Sequence, residues 1–242
     1  MQEMELASLM ARVASELRVE ASDQFTVRSI VARAVDVVPD ADSASLTVRR
    51  RRKTFETLSA TDDLALRADQ MQYTMREGPC VEALEKSEWY RSGEVRSDPR
   101  WPVWGPAVGE LGVGSLLSIN LIAGTQSIGA LNMYSRLGGR FADPDEVDLA
   151  LLYAVHAAHA LESARLVTGL EVAVSSRHSI GIAQGILIER YGLTIEQSFN
   201  FLRRVSSHTN TKLAEVARQI VETGVIPPRG NGDHKPTAEA EG

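Results

Sequence analysis

The sequence predicts an α+β domain with an antiparallel sheet, then a long connecting helix, then a small all-α unit of three helices. Three observations predict it. Residues 43–49, 54–60, 114–123 and 127–134 carry apolar or β-prone side chains at a spacing close to two. These stretches form two neighbouring pairs separated by helical spacing, the order expected of two hairpins with a helical crossing between them. Beyond residue 144 the spacing is three and four throughout, and three helical patterns follow one another within residues 179–226.

The elements follow in order. Residues 3–20 read as an amphipathic helix through Met4, Leu9 or Met10, Val13 and Leu17. A second helix spans about 25–37, with Asp23 as a candidate cap and Pro39 ending it. The alternation Ala44, Leu46, Val48 predicts a half-buried strand, and Phe55, Thr57, Ser59 its hairpin partner. Between them lie Arg49, Arg50, Arg51, Arg52 and Lys53, either a solvated turn or a surface for an anionic partner. Residues 64–73 read as a short helix or irregular crossing. Pro79 suits the first turn of a helix through Leu84. Trp89 and Tyr90 begin a short extended piece. Residues 103–111 form a helix closed by Gly112 or Gly114, and Asp143-Pro144 caps and opens a long one.

The long helix keeps one seam at positions 149, 152, 156, 159, 163, 166, 170, 173, 177 and 180, with no proline inside. That heptad spacing predicts a homodimer paired through residues 149–180, the alternative being a single helix packed on its own sheet; half of the seam positions are polar or small. In the last stretch, Ile180, Ala183, Leu187 and Tyr191 define a helix stopped by Gly192. Thr194 and Gln197 carry a capping-box signature, with Ile195, Phe199 and Leu202 or Val205 as the expected inner face. A third helix opens near Asn210 or Thr211 and ends at Gly224, before Pro227 and Pro228. From Pro227 on, the chain has no periodicity and much Gly and Pro, so residues 227–242 are expected to be disordered.

Composition narrows the function. The 242 residues are 43% hydrophobic and 24% charged, with a net charge of −6, which argues against nonspecific coating of nucleic acid. Residues 1–170 carry a net −6, residues 171–226 a net +1, and the tail −1. The C-terminal unit is the least acidic part without being a basic patch. One cysteine, Cys80, excludes an internal disulfide framework and a cysteine-rich zinc site. No apolar run reaches membrane-spanning length, and the N-terminal stretch lacks signal-peptide character. A cytoplasmic protein with no membrane partner is expected.

The C-terminal stretch resembles the ANTAR domain, the RNA-binding module of bacterial antitermination regulators. The residues that carry the likeness are Ala183 to Leu187, Tyr191 to Thr194 with Glu196, Phe199, Leu202-Arg203-Arg204, Asn210, Lys212-Leu213, and Val216-Ala217 with Ile220-Val221. Two positions depart from the family, which usually has Lys or Arg at Gln184 and Ala at Ser198. Residues 20–165 resemble the GAF domain, a small-molecule sensor fold. This likeness rests on Glu77 to Cys80, the Trp101/Trp104 segment, Gly112 to Ser118, and Gly129 to Asn132. Together they identify the chain as a member of the GAF-ANTAR regulators. The implied organisation is a sensor domain over 1–165 with its N-terminal helix, a connecting helix over 144–178 shared by both domains, and an RNA-binding unit over 171–226.

The resemblance implies binding to tandem RNA hairpins, and control of transcription termination, antitermination or translation, without catalysis. Candidate RNA contacts are Ala183, Gln184, Gly185, Arg190, Arg203, Arg204, His208, Asn210, Thr211 and Lys212. Each arginine also reads as an ordinary exposed helical charge, and Ala183 and Gly185 as tight helix packing. Candidate sensor-pocket residues are Cys80, Trp101 and Trp104, for a small-molecule or protein signal. Cys80 reads equally as a buried small hydrophobe. No cofactor is predicted. His156 and His159 share a helix face, but no carboxylate completes a metal set, so no metal is expected. P-loop, dinucleotide and nucleophile-elbow motifs are absent from the sequence. The alternatives are a DNA-binding transcription factor, since a small helical unit imitates a helix-turn-helix, and a ligand-binding or redox GAF protein.

Overall fold

The computed structural model describes residues 23–50, 54–86 and 88–225. The expected helix over 3–20, the turn residues Arg51, Arg52 and Lys53, and the tail from Pro227 lie outside them. The chain divides into two compact units, Met1–Thr168 and Gly169–Gly242.

The first unit begins with α1 (Asp23–Val37). The hairpin β1 (Ser43–Arg49) and β2 (Phe55–Ala60) follows. The crossing contains α2 (Asp63–Met75), α3 (Pro79–Lys86), β3 (Trp89–Ser92) and α4 (Trp104–Leu111). The second hairpin is β4 (Ser115–Ala123) and β5 (Gln126–Ser135). The five strands lie in the order β2-β1-β5-β4-β3, with every neighbour antiparallel. The register aligns Ser45, Asn132 and Ser118 across three adjacent strands.

Strand β1 is buried on both faces rather than half-buried. Ala44, Leu46 and Val48 join Leu117, Ile119, Leu131 and Met133 in a core closed by α1 and the first part of the long helix. The other face is covered by α2 and α4, where Trp101, Trp104, Leu64, Ala68 and Tyr134 pack together. Ser45 and Thr47 point to that second layer and are as buried as the leucines. Local chemistry fixes the ends. Asp62 caps α2 by accepting from the Ala65 amide at 2.9 Å. Gly78 has φ +134°, and a Cβ there would stand 2.4 Å from Gln72 Oε1, so only glycine fits.

Helix α5 runs unbroken from Pro144 to Tyr191. Asp143 Oδ1 accepts from the Asp145 amide at its start. The expected seam is interrupted at both ends. Leu149 belongs to the first core and Ile180 packs against the core of the second unit. Between them Leu152, Leu166 and Leu170 are 37%, 65% and 58% exposed. The reason is local: Leu149 is taken up by the packing of its own unit, and Ile180 by that of its own.

In the second unit, the end of α5 packs with α6 (Ile195–Thr209) and α7 (Leu213–Thr223). Ala183, Leu187, Leu202, Val216, Ala217 and Ile220 form its core. Gly192 closes α5 with φ +64°. Thr194 and Gln197 form the capping box that opens α6. The expected inner face of α6 is rotated: Ile195 is 74% and Phe199 39% exposed, while Ser198 and Leu202 are buried. Helix α7 starts at Leu213, later than expected. Asn210 takes a left-handed conformation that closes α6, and Lys212 is the extended residue before α7.

Candidate functional site

In the second unit, half of the ten candidate contacts are committed to the fold. Ala183 is fully buried and belongs to the core, so its side chain is not on the surface. Gln184 Nε2 donates to Ile195 O at 3.1 Å and Ser198 Oγ at 3.2 Å, tying the end of α5 to the start of α6. The two departures from the family pattern are therefore one interaction. Arg190 Nη1 donates to the carbonyl of Gly224, the residue that closes α7. His208 Nδ1 contacts Arg204 O at 2.9 Å. Thr211 Oγ1 donates to Thr209 O at 3.2 Å, inside the α6–α7 turn. Arg218 is held by Glu215 at 2.6 Å, with Glu222 at 3.7 Å.

Arg203, Arg204 and Lys212 differ. All three are exposed, and among the described residues none of their side chains has a hydrogen-bond or ion-pair partner. Gly185 is exposed, and a Cβ placed on it would meet nothing within 4 Å. Its small size is not required by packing within this unit. Asn210 is exposed at the end of α6.

Beside Arg203 and Arg204 runs a groove of about 500 Å³, lined also by Leu193, Gln197, Asn200 and Phe201. Asn200 and Phe201 escape a sequence reading that looks for basic residues. The available signal is spacing: positions 197, 200, 201 and 204 share one helical face.

In the first unit the candidate pocket residues are packed. Cys80, Trp101 and Trp104 are each 0% exposed. The two indoles meet edge to face at 5.9 Å. Trp101 Nε1 donates to Glu82 Oε1 at 2.8 Å, and Trp104 Nε1 to Ala68 O at 3.2 Å. Burial, and then the nearby Asp69, push the Cys80 thiol above its ordinary value, which disfavours the thiolate a nucleophile needs.

Next to Cys80 the interior holds a polar network centred on Asp69, itself 0% exposed. Asp69 Oδ1 accepts from Tyr134 Oη at 2.6 Å and Asn132 Nδ2 at 3.0 Å. Its Oδ2 accepts from Thr57 Oγ1 at 2.8 Å and Thr47 Oγ1 at 3.2 Å. Tyr73 Oη lies 2.7 Å from both threonine hydroxyls. Gln72 donates to Tyr134 Oη at 3.2 Å and accepts from the Cys80 amide at 2.8 Å. Burial raises the Asp69 carboxyl above its ordinary value, and the hydroxyls of Tyr134, Thr57 and Thr47 are among the groups that only partly offset it. Sequence reading missed Asp69. Its signal was two polar residues, Asp69 and Gln72, on the stripe of α2 that carries Leu64, Ala65 and Ala68.

A second polar cluster sits where α5 begins. Asp40 accepts from Arg140 Nη1 at 2.9 Å and from the Phe141 amide. Phe141 is fully buried with φ +58°. Partial burial, then the hydrogen bond and charge of Asp40, push the Glu146 carboxyl up to about 7.

Among the described residues, no three His, Cys, Asp or Glu side chains stand close enough to hold a metal ion. No described helix is long and apolar enough to cross a membrane.

Comparison with known proteins follows this division. The family model described as GAF domain matches residues 21–162, and that described as ANTAR domain matches residues 168–221. The fold is similar to a GAF domain from a Coxiella burnetii phosphoenolpyruvate-protein phosphotransferase, at TM-score 0.55 and 18% identity, covering 69% of this chain and 98% of that one. The corresponding Acinetobacter domain gives 0.53 and 14%, with the same coverage. A bacteriophytochrome from R. palustris gives 0.60 and 10%, over 85% of this chain and 47% of that one. At these identities the likeness is one of fold. No curated protein sequence matches the chain.

Proposed function

The chain belongs to the GAF domain family and carries an ANTAR domain behind it, and on that basis we propose that it binds RNA hairpins to control transcription termination or translation. GAF is a sensor domain and ANTAR an RNA-binding antitermination domain, so the chain is a signal-responsive regulator. The observation that carries the finer reading is the unequal commitment of its cations. Arg190 and Arg218 serve the fold, while Arg203, Arg204 and Lys212 stand exposed, with side chains unpaired among the described residues. Unpaired, exposed cations of that kind are suited to phosphate contacts. Asn210 and Gly185 are exposed in the same unit and complete the proposed contact set.

Bound to a hairpin in nascent RNA, such a unit stabilises it against a competing terminator stem. With a net charge of only +1 over residues 171–226, affinity rests on a few placed groups and on pairing two copies. The exposed Leu152, Leu166 and Leu170 support a homodimer paired through exposed positions of α5. The packed interior of the sensor unit supports a small-molecule or protein signal received at its surface.

The test is direct binding of the full chain to hairpin RNA and to duplex DNA of matched length, with sedimentation of free and bound protein. Preferred binding of hairpin RNA by a dimer is expected. Preference for duplex DNA would transfer the chain to the DNA-binding class, and a monomer at every concentration would remove the seam.

A further inference from the structure

We propose that the groove on α6 takes up one unpaired loop base of the bound RNA, with Phe201 and Leu193 as its floor and Asn200 reading the base edge. This rests on the hairpin-binding reading above and deepens it. The ten candidate contacts of the C-terminal unit are mainly backbone-binding types. They position an RNA but carry little information about its loop.

The groove has the three parts that recognition of an extruded base needs. The floor is apolar and fixed: Phe201 and Leu193 are half-buried and packed against the core of the unit. An aromatic or apolar floor accepts the flat face of any base. The wall is polar. Asn200 is half-buried, and among the described residues its side-chain amide takes no hydrogen bond. A partly desolvated amide with a donor and an acceptor side by side matches the edge of a base, which presents the same pair. Gln197 stands one turn before it. Its Oε1 is occupied by the Thr194 amide at 2.9 Å, which fixes the side chain and leaves its NH2 as a donor. The rim is cationic, with Arg203 and Arg204 free to hold the flanking phosphates.

These parts lie on one face because positions 197, 200, 201 and 204 repeat at helical spacing. The volume of about 500 Å³ is within the range of small-ligand sites. The adjoining face of α6, with Ser198 and Leu202, is buried in the core, so the groove is fixed by the same packing that folds the unit. Loop sequence is then read by a preformed surface.

The experiment uses the full chain and a pool of RNA hairpins with one fixed stem and a fully randomised loop. The tightest-bound loop is remade with an abasic site at each position in turn. One abasic position is expected to weaken binding by about tenfold. Asn200→Ala is expected to weaken the intact hairpin by a similar factor and to cost nothing further on that abasic hairpin. Phe201→Leu, which keeps an apolar core contact, should lower affinity with the same dependence on the base, at unchanged melting temperature. Equal losses for Asn200→Ala on intact and abasic hairpins, or no loss on either, would overturn the base site while leaving hairpin binding in place. Failure of the unaltered chain to bind any hairpin in the pool would remove both.

Discussion

The interior of the sensor unit and the surface of the C-terminal unit use polar side chains in opposite ways. Asp69 is wholly buried and takes four hydrogen bonds from its own chain. The side chains of Arg203 and Arg204 are exposed and make none among the described residues. A buried polar group must be satisfied internally, because leaving it unpaired costs about 1–3 kcal/mol or more. An exposed one is satisfied by water and remains available to a partner. The difference shows where each unit keeps its order and where it keeps its reactivity.

The largest effect should come from breaking the closed side. Asp69→Ala strands four donors in the interior and is expected to cost about 3 kcal/mol or more in urea unfolding. Asp69→Asn retains the shape and removes the buried charge. Because folding raises the Asp69 carboxyl, its ionisation opposes folding, and wild-type stability falls as pH rises from the unfolded value near 3.8 through the folded one. The asparagine variant should lack that fall and tolerate neutral pH far better than the alanine variant. Equal loss in both at neutral pH would mean that the charge itself is needed.

On the open side, Arg203→Ala with Lys212→Ala should leave the melting temperature unchanged and weaken hairpin binding by about tenfold or more. The dependence of log affinity on log salt should become shallower by about 0.7 for each phosphate that is no longer neutralised, the value for single strands. Undiminished affinity would show that these cations are only solvated charges.

How far the sequence revealed each side follows from the reach of the interactions. The capping box of Thr194 and Gln197 is legible because its partners are three residues apart. The strands and the helices after residue 55 are legible from spacing, with ends shifted where a single residue such as Asn210 takes a left-handed turn. The Asp69 network is not. Its partners Tyr134 and Asn132 lie 65 and 63 residues away, and only the sheet register brings them together. The Gln184–Ser198 bond is half legible: both departures are visible in the sequence, but not that they touch. Spacing places Phe199 and Ile195 inward where the fold turns them out, because apolar spacing alone does not fix which of two adjacent stripes faces the core.

The Gln184 bond lies between the two regimes, since it is polar, half-exposed and internally satisfied. Gln184→Ala should cost about 1 kcal/mol, with Ser198→Ala on top adding less than it does alone, because the two share one interaction. Additive losses in thermal unfolding would separate them. If Gln184→Ala also weakens hairpin binding, the bond orders α6 for RNA as well as for folding.

The smallest effect concerns a carboxyl that is neither closed nor open. Glu146 is half-exposed beside Asp40 at the start of α5, with Arg140 and Asp143 as its other charged neighbours. Two carboxyls in contact do not both ionise readily, so one keeps its proton to higher pH, and partial burial adds to this. Folding raises Glu146 from 4.5 to about 7. A raised acid favours the folded state while it is protonated, so the contribution is complete below about 4.5 and lost as pH rises through about 7. Glu146→Gln keeps a hydrogen-bond donor for Asp40 without the titration. Its melting temperature should therefore match the wild type near pH 4.5 and exceed it above pH 7. The gain should be below about 1 kcal/mol, because solvent screens a half-exposed pair. A gap independent of pH would place the proton elsewhere, with Asp40 the next candidate, although the Phe141 amide, the Glu146 carboxyl and Arg140 together hold that carboxyl low despite its burial.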